Sequence, residues 1–482
     1  MPALNILGSF ADPLNLDQGA GKLVNVRVVP RDPKETKPAR VRFVGAPGLT
    51  TVSKPSSAPC ITIAVALGTI WTGHADGSIY YGVETPFPVL AGTVAVDPTL
   101  PVIRFAEDRT ALAIASNGNL LNPKVPPLAG TGYTATQGTG VVNAGFDASI
   151  NFDPSTVAEL DNMTLWSGAS NFYANQDAKV YRSQPLQPGN VLPNSFGTKE
   201  ARPDKVVDLA ISGRVAWPLG SRSLEQWYNS GATADMPFVP FPNSLVSVGI
   251  AARNSRAVLR DLIMFVATDR RIWLCTGQTG SPVSPPWVNL LLQQLTLTQL
   301  SQLTAYAYAH GGSDFYVITL PGSWTLELAA STGVWSYRQS PGRADHAGRC
   351  AKEYDGGVTY VGLDTGEVCT VDINSAAEPG GTLSRIMITP WVGSQETRGS
   401  VDSIDITSSM GPAAGTFQLD WSDDRAVTWR GARQILLPQP GTRRAIGRNF
   451  GASRRQQFRL QYSGTQAPFT IDEWFANLSP GT

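Results

Sequence analysis

Three histidines, four cysteines and a run of arginines are the side chains here with the most chemistry to offer. His74, His310 and His346 lie far apart in the chain, and none belongs to an HExxH or HxH pattern. A Ser/His/Asp site is recognised by geometry rather than order, yet the chain carries no GxSxG elbow. Its carboxylates are scattered and give no support to a paired-acid glycosidase site. Cys60, Cys275, Cys350 and Cys369 form no CxxC, which argues against a zinc site and against a disulfide scaffold. They read as buried thiols, with Cys350 and Cys369 able to face each other on neighbouring strands. GAGK at 19–22 suggests a phosphate loop, but Leu16 and Leu23 stand where that motif needs Gly and Ser or Thr. It reads as a turn. No catalytic, cofactor-binding or metal-ligating residue is expected.

Charge is more informative. From Trp421 to Leu460 nine arginines face two aspartates. Arg443, Arg444, Arg448, Arg454, Arg455 and Arg459, on alternating strand positions, would make a cationic face able to meet phosphate. The same face could instead pair with acidic surface on a neighbouring subunit, or simply be solvated. Within this stretch WSDDRAVTW resembles the Asp box of sialidase-type propellers through Ser422, Asp424, Thr428 and Trp429, with Ala426 where Gly is usual. What that resemblance implies is a hairpin turn whose Asp ties down backbone amides, not an activity. A sialidase would show several such boxes, and this chain shows one.

The elements that must position these residues are hairpins. RDLIMFVATDRRIWLC, FYVITLPGSWTLELAASTGVWSYR and GGVTYVGLDTGEVCTVD each join two apolar, β-branched or aromatic runs through a tight polar turn. Related hairpins start near Ile61, with turns at Asp76–Gly77, Asn117–Gly118 and about Gly168–Ser170. Successive turns lie roughly 40 to 55 residues apart, the length of one four-stranded propeller blade. Charged residues are only 16% of the 482, and 47 Gly with 36 Pro supply turns without a period. The spacing therefore predicts a mainly β chain: a β-propeller over 61–377, six blades favoured and seven allowed. Two stacked sandwiches are the competing architecture. Residues 1–60 form an extended segment with a first strand, and 378–482 a β-sandwich-like module. One helical insertion is expected near 285–310, where leucines recur and Thr296 with Gln299 fits a capping box; it packs on the propeller or meets another subunit. Formal charge is zero, from 38 basic and 38 acidic residues, so overall charge points to no partner. No basic and apolar leader and no apolar span of about 20 residues is seen, so a cytoplasm-like compartment is expected.

In order along the chain, VNVRVVP with APGLTTV, then SRSLEQWYNSG with MPFVPFPNSLVSVGIAARNS, then LIMFVATDRRIW before the leucine-rich helix, form a recurring layout. FYVITLPGSWTLELAASTGVWSYR, DGGVTYVGLDTGEVCTVD, WSDDRAVTW and RRQQFRLQYSG complete it. Taken together these resemble the tail nozzle, or packaged-DNA-stabilisation, proteins of short-tailed bacteriophages. The resemblance is weakest at about 120–160, a Gly/Thr-rich stretch read as a loop special to this chain. The resemblance implies a non-enzymatic virion protein: a homohexameric ring below the head-tail adaptor or connector. Such a ring extends the exit channel for double-stranded DNA, retains the packaged genome and meets a distal needle, spike or fibre. It would be assembled in the host cytoplasm and reside in the virion tail. A receptor-binding or glycan-binding propeller of a phage tail, and a propeller scaffold of cellular origin, are the alternatives from other classes.

Overall fold

The computed structural model describes residues 4–5, 21–31, 41–66, 68–82, 88–94, 96, 98–107, 112–116, 132–136, 140–143, 153–158, 172–174, 179–182, 195–199, 202–212, 215–232, 236–277, 279–354, 357–393, 398–408, 416–436, 444–462 and 470–480. Seven antiparallel four-stranded units follow one another in it. Their first strands begin at residues 60, 103, 153, 206, 257, 304 and 348, a period of 43 to 53. The first six units each use four consecutive strands. The seventh joins Gly348–Tyr354, Val358–Leu363 and Val368–Asp372 to Gly48–Ser53, a strand from near the N-terminus. Each unit's first strand lies against the first strand of the next, and Gly348–Tyr354 returns to Cys60–Ala66 of the first. The units are therefore blades around one axis, and the fold is a mainly β propeller.

Seven is thus the blade count, where strand spacing favoured six. The seventh blade takes its fourth strand from residues 48–53, which no local pattern announces. The stretch at 120–160 is not a loop throughout: it supplies Gly132–Thr136, Gly140–Asn143 and Asp153–Ala158 to the second and third blades. The turns expected at Asn117–Gly118 and Gly168–Ser170 lie outside the described residues.

Local chemistry explains the hairpins that are described. In the first blade Asp76 Oδ1 accepts from the Ser78 N–H at 3.0 Å and the Ser78 hydroxyl at 2.6 Å. Gly77 has φ +84, and a Cβ there would lie 2.0 Å from the Val94 carbonyl oxygen, so no other residue fits. Central strands such as Ser313–Leu320 and Trp324–Ala329 are buried almost throughout, because neighbouring blades cover both faces. Between the fifth and sixth blades lie two short helices, Pro286–Gln293 and Leu297–Ser301, the second opened by the Thr296/Gln299 capping box. Trp287, Val288, Leu292 and Leu300 pack into those two blades against Met264, Ile272, Tyr316 and Trp335.

The remaining strands form a sandwich. One sheet is Val26–Pro30, Val41–Gly45, Thr470–Pro480, Gly399–Ser408 and Arg444–Arg448. The other holds Lys22–Val24, Arg385–Ile388, Arg455–Tyr462, Thr416–Ser422 and Arg430–Leu436. Phe43, Ile404, Phe417, Phe458 and Trp474 fill the space between them. The second sheet continues into the sixth blade, since Val24 pairs in parallel with Tyr337. Polar contacts reinforce that joint. Asn25, at φ 53, donates through Nδ2 to the carbonyls of Gln339 (2.9 Å) and Ser384 (2.8 Å) and accepts from the Gln339 N–H. Arg27 is buried, forks onto Glu327 and stacks 4.2 Å over Phe315. Close by, Glu378 accepts from Arg338 (3.1 Å), the Ser340 hydroxyl (2.5 Å) and His346 Nε2 (3.2 Å).

The ring closes on two thiols. Cys350 Sγ lies 3.9 Å from Cys60 Sγ, not beside Cys369. The register explains this: Cys350 pairs with Gly362 and Cys369 with Val361, adjacent positions that point to opposite faces. A Cβ on Gly362 would lie 2.5 Å from Cys60 Sγ and 2.7 Å from Cys350 Sγ. Gly362→Ala is therefore expected to destabilise the protein by about 1–3 kcal/mol through overpacking, read as a lower urea midpoint at unchanged slope.

Burial works to raise the Glu378 pKa, but His346, Arg338 and Ser340 outweigh it and hold it at about 2. With the folded value below the unfolded one of about 4.3, the stabilisation is complete above the unfolded value and disappears as pH falls towards 2. It amounts to about 3 kcal/mol. Glu378→Gln should be clearly destabilised near neutrality, with the gap to wild type closing between about pH 5 and pH 2; urea midpoints of both proteins across that range test it.

Candidate functional site

The arginine-rich segment does not fold into one face. Arg444 and Arg448 stand at the two ends of a strand in the first sandwich sheet, opposite Thr407 and Ser403. Arg455 and Arg459 belong to a strand of the second sheet, and Arg454 immediately precedes it. Arg443 and the Arg444 side chain lie outside the described residues. Arg448 and Arg454 are exposed, while Arg455 and Arg459 are half-buried.

What the second sheet gathers is arginine against tryptophan. Arg455 lies 3.9 Å over Trp391, Arg459 4.5 Å over Trp429 and Arg433 4.9 Å over Trp421. A guanidinium stacked on an indole keeps its charge and its in-plane donors while losing little hydration, so it still offers bonds to phosphate or carboxylate. The arginines differ in what remains free. Arg459 is engaged, donating to Asp420 Oδ2 at 3.0 and 2.6 Å. Arg433 donates to the Asn449 carbonyl at 2.8 Å, and Arg430 lies 3.3 Å from Asp423. Trp391, Arg425, Arg454 and Arg455, with Asp423, line a cleft of about 290 Å³. Sequence reasoning missed Trp391, which sits more than 60 residues before Arg455 and reaches it only because Val392–Gly393 pairs with the Arg455–Gln456 end of the strand.

Ser422, Asp424, Thr428 and Trp429 lie at the hairpin joining Thr416–Ser422 to Arg430–Leu436. The Asp424 carboxylate accepts from the Thr428 N–H (2.9 Å), the Thr428 hydroxyl and the Ser422 hydroxyl (2.7 Å). Those donors hold its pKa at about 2. Ala426 takes φ 63, the left-handed conformation that explains why Gly is usual there. The turn fixes Trp429 where Arg459 stacks on it, which is a positioning role.

The histidines remain apart. His74 is buried, with Nδ1 at 3.1 Å from the Ala58 carbonyl and Nε2 at 3.2 Å from the Thr72 hydroxyl, and burial lowers its pKa. His346 Nδ1 accepts from the Gly348 N–H, leaving Nε2 to donate to Glu378. Ser340 donates to the same carboxylate rather than to the imidazole, so this buried Ser, His and Glu do not form a nucleophile and its base. Among the described residues, no group of three or more His, Cys, Asp or Glu is placed to hold a metal ion.

A family model described as bacteriophage P22 Gp10, beta-propeller, matches residues 81–362. That span runs from the first blade into the seventh and covers more than half of the chain. Solved structures similar to this chain include the Pan2 WD40 domain of Neurospora crassa, 10% identical over 67% of this chain and 94% of that one, with TM-score 0.41. The WD40 propeller domain of Doa1 is 12% identical over 67% and 96%, with TM-score 0.34. A search of curated proteins finds no match.

The bonding pattern separates structural from available arginines. Arg459→Gln leaves Asp420, whose side chain is 3% exposed, without its guanidinium partner, and should cost about 1–3 kcal/mol. Arg454→Gln, at an exposed position, should stay within about 0.5 kcal/mol of wild type. Urea denaturation of the two variants checks the contrast.

Proposed function

This chain belongs to the family of the bacteriophage P22 Gp10 β-propeller, and from that premise we propose that it is a tail nozzle subunit of a short-tailed phage. Membership makes it a phage structural protein. The proposal adds its place and work: a homohexameric ring beneath the head-tail connector, bound above to the adaptor and below to a needle, spike or fibre. The ring prolongs the channel through which double-stranded DNA leaves and holds the packaged genome until infection. It is assembled in the host cytoplasm, resides in the virion tail and performs no catalysis.

The observation that carries this reading is the family match across the propeller, from residue 81 to residue 362. Physical features support it. A closed ring of blades has few free strand edges, so it makes a rigid block that resists edge-to-edge aggregation. Its sixth blade runs on as the sheet of the sandwich, so load on one part passes to the other through paired strands. Head-to-tail contacts between such blocks close into a ring when the rotation allows. A conduit must also release what it guides. Each phosphate neutralised by an arginine adds hold, and that hold weakens with salt. Zero net charge with a few exposed arginines, Arg448 and Arg454 among them, suits weak and transient contact with passing DNA.

Mass photometry of the chain, alone and with a connector preparation from the same particle, should show a species of about 310 kDa, six times the 51.4 kDa chain. A monomer that persists with connector present would sink the ring. In assembled virions, Arg448→Gln, Arg454→Gln and Arg455→Gln together should change DNA retention or the ejection rate if these residues meet DNA; unaltered retention and ejection would assign them to subunit contacts.

A further inference from the structure

Cys60 and Cys350 are 290 residues apart in the chain, and their sulfurs lie 3.9 Å from each other. The contact sits where the ring closes, between the first strand of the first blade and the first strand of the seventh. Cys350 Sγ is also 3.6 Å from the carbonyl oxygen of Cys60, so the two strands approach closely at this point. Gly362 makes room for both thiols: it pairs with Cys350 and has no side chain to stand between the sulfurs. A disulfide needs about 2.05 Å, so each sulfur has to move by roughly 1 Å, within reach of a small turn about its Cα–Cβ bond. The other two cysteines are placed differently. Cys369 donates to the Thr51 hydroxyl at 3.7 Å, and burial pushes the thiols of Cys275 and Cys369 up to about 12. Among the described residues, neither of them lies against another thiol.

The pair is also reachable from one side. The inner strands of the blades enclose a cavity of about 780 Å³, and Cys350 stands in its wall. Arg260 and Lys352 of the same wall are exposed, so the cavity is open to water and to small solutes. Cys60 is wholly buried and is not part of the wall. A small oxidant therefore meets Cys350 first, with Cys60 behind it to react with what forms. The bond with Cys350 and burial hold the Cys60 thiol well above its ordinary pKa. A rapidly cycling dithiol needs the opposite shift, so a link made here is a lasting one.

We propose that Cys60 and Cys350 form an oxidation site, at which a small peroxide entering the axial cavity converts the two thiols to a disulfide that clasps the seventh blade to the first. Cys350 Sγ attacks one peroxide oxygen; the O–O bond breaks, the thiol proton leaves with the departing oxygen as water, and Cys350 becomes a sulfenic acid. Cys60 Sγ then attacks that sulfur; the S–O bond breaks, the S–S bond forms, and the Cys60 proton leaves with the hydroxyl as a second water. The two sulfurs are oxidised by two electrons and the peroxide is reduced by two. The link encloses almost the whole propeller, and closing so long a loop removes entropy from the unfolded chain. This inference stands apart from the tail reading, since any ring closed by these two strands carries it.

Treating the full chain with hydrogen peroxide, then unfolding it in an alkylating buffer and mapping its peptides, tests this. Before treatment all four cysteines should alkylate; afterwards Cys275 and Cys369 alone should, beside a peptide pair joined through Cys60 and Cys350 and released by dithiothreitol. The oxidised protein should melt about 5 °C higher, the stabilisation of a long loop spread over the unfolding entropy of a chain of this size. Cys60→Ser leaves the sulfenic acid without its partner, so dimedone should label Cys350 in that variant, whereas Cys350→Ser should give no label on Cys60. Cys369→Ser should still form the link. The peptide map is made on the unaltered chain, so it stands even where a variant fails to fold. Four alkylated cysteines after treatment, a link through Cys275 or Cys369, dimedone on Cys60, or a melting temperature that does not rise would overturn the assignment.

Discussion

A ring of sheets is only as strong as the joint between its last blade and its first. Here that joint is made by one strand, Gly48–Ser53, which pairs with Val368–Asp372 across more than 300 residues of chain. A few residues later the chain begins the first blade at Cys60, so the segment that completes the seventh blade also leads into its neighbour. Cys60 and Cys350 then meet over Gly362, where the absence of a side chain lets the two inner strands approach. The stretch before the closing strand is committed too, since 22–24 and 26–30 lie in opposite sheets of the sandwich. Propeller closure and sandwich formation therefore share about 30 consecutive residues and depend on each other. Contacts this distant in sequence are paid for in chain entropy before they return any stability, which favours slow, late closure.

Burying charge at such a joint is costly unless each group is paired and hydrogen-bonded. Arg27 meets this condition with Glu327, Tyr308 and the Phe315 ring, and Glu378 with Arg338, Ser340 and His346. These networks join elements that apolar packing alone would leave free to slide. Leucine against leucine tolerates a shift of an ångström, whereas a bidentate guanidinium does not. Arg27 comes from the sandwich and Glu327 from the sixth blade, so their geometry sets how one is carried on the other.

Much of this was legible residue by residue, and what was not has a physical reason. The Asp76–Gly77 turn and the Thr296/Gln299 cap are local chemistry and stand in the sequence as they stand in the fold. Blade number was obscured because the deciding strand is the most distant one, and because 120–160 carries Gly and Thr where other blades carry strong apolar alternation. Arginine counting found a basic segment but not its shape: Arg448 and the short strand Ala452–Ser453 stay in one sheet, and the chain then crosses so that Arg455 joins the other. Trp391 gave no signal near the arginine it supports. The pairing of Asp208 with Arg104 (3.6 Å) and Arg256 (2.9 Å) was equally hidden, since these residues come from the second, fourth and fifth blades and are far apart in the chain.

A formal charge of zero thus conceals a sorted distribution. At the axis, Asp208 is fully buried between Arg104 and Arg256, where a low dielectric makes each pairing count heavily. On the sandwich, arginines rest on indoles or carboxylates at the surface, where salt screens them and a contact is worth less. The two settings suit opposite tasks. A buried pair fixes the blades that bring it together, whereas a screened, half-engaged arginine keeps donors for a partner that comes and goes. In the proposed ring the two are mechanically joined, because the sheet that displays the second runs on into the sixth blade of the propeller that encloses the first.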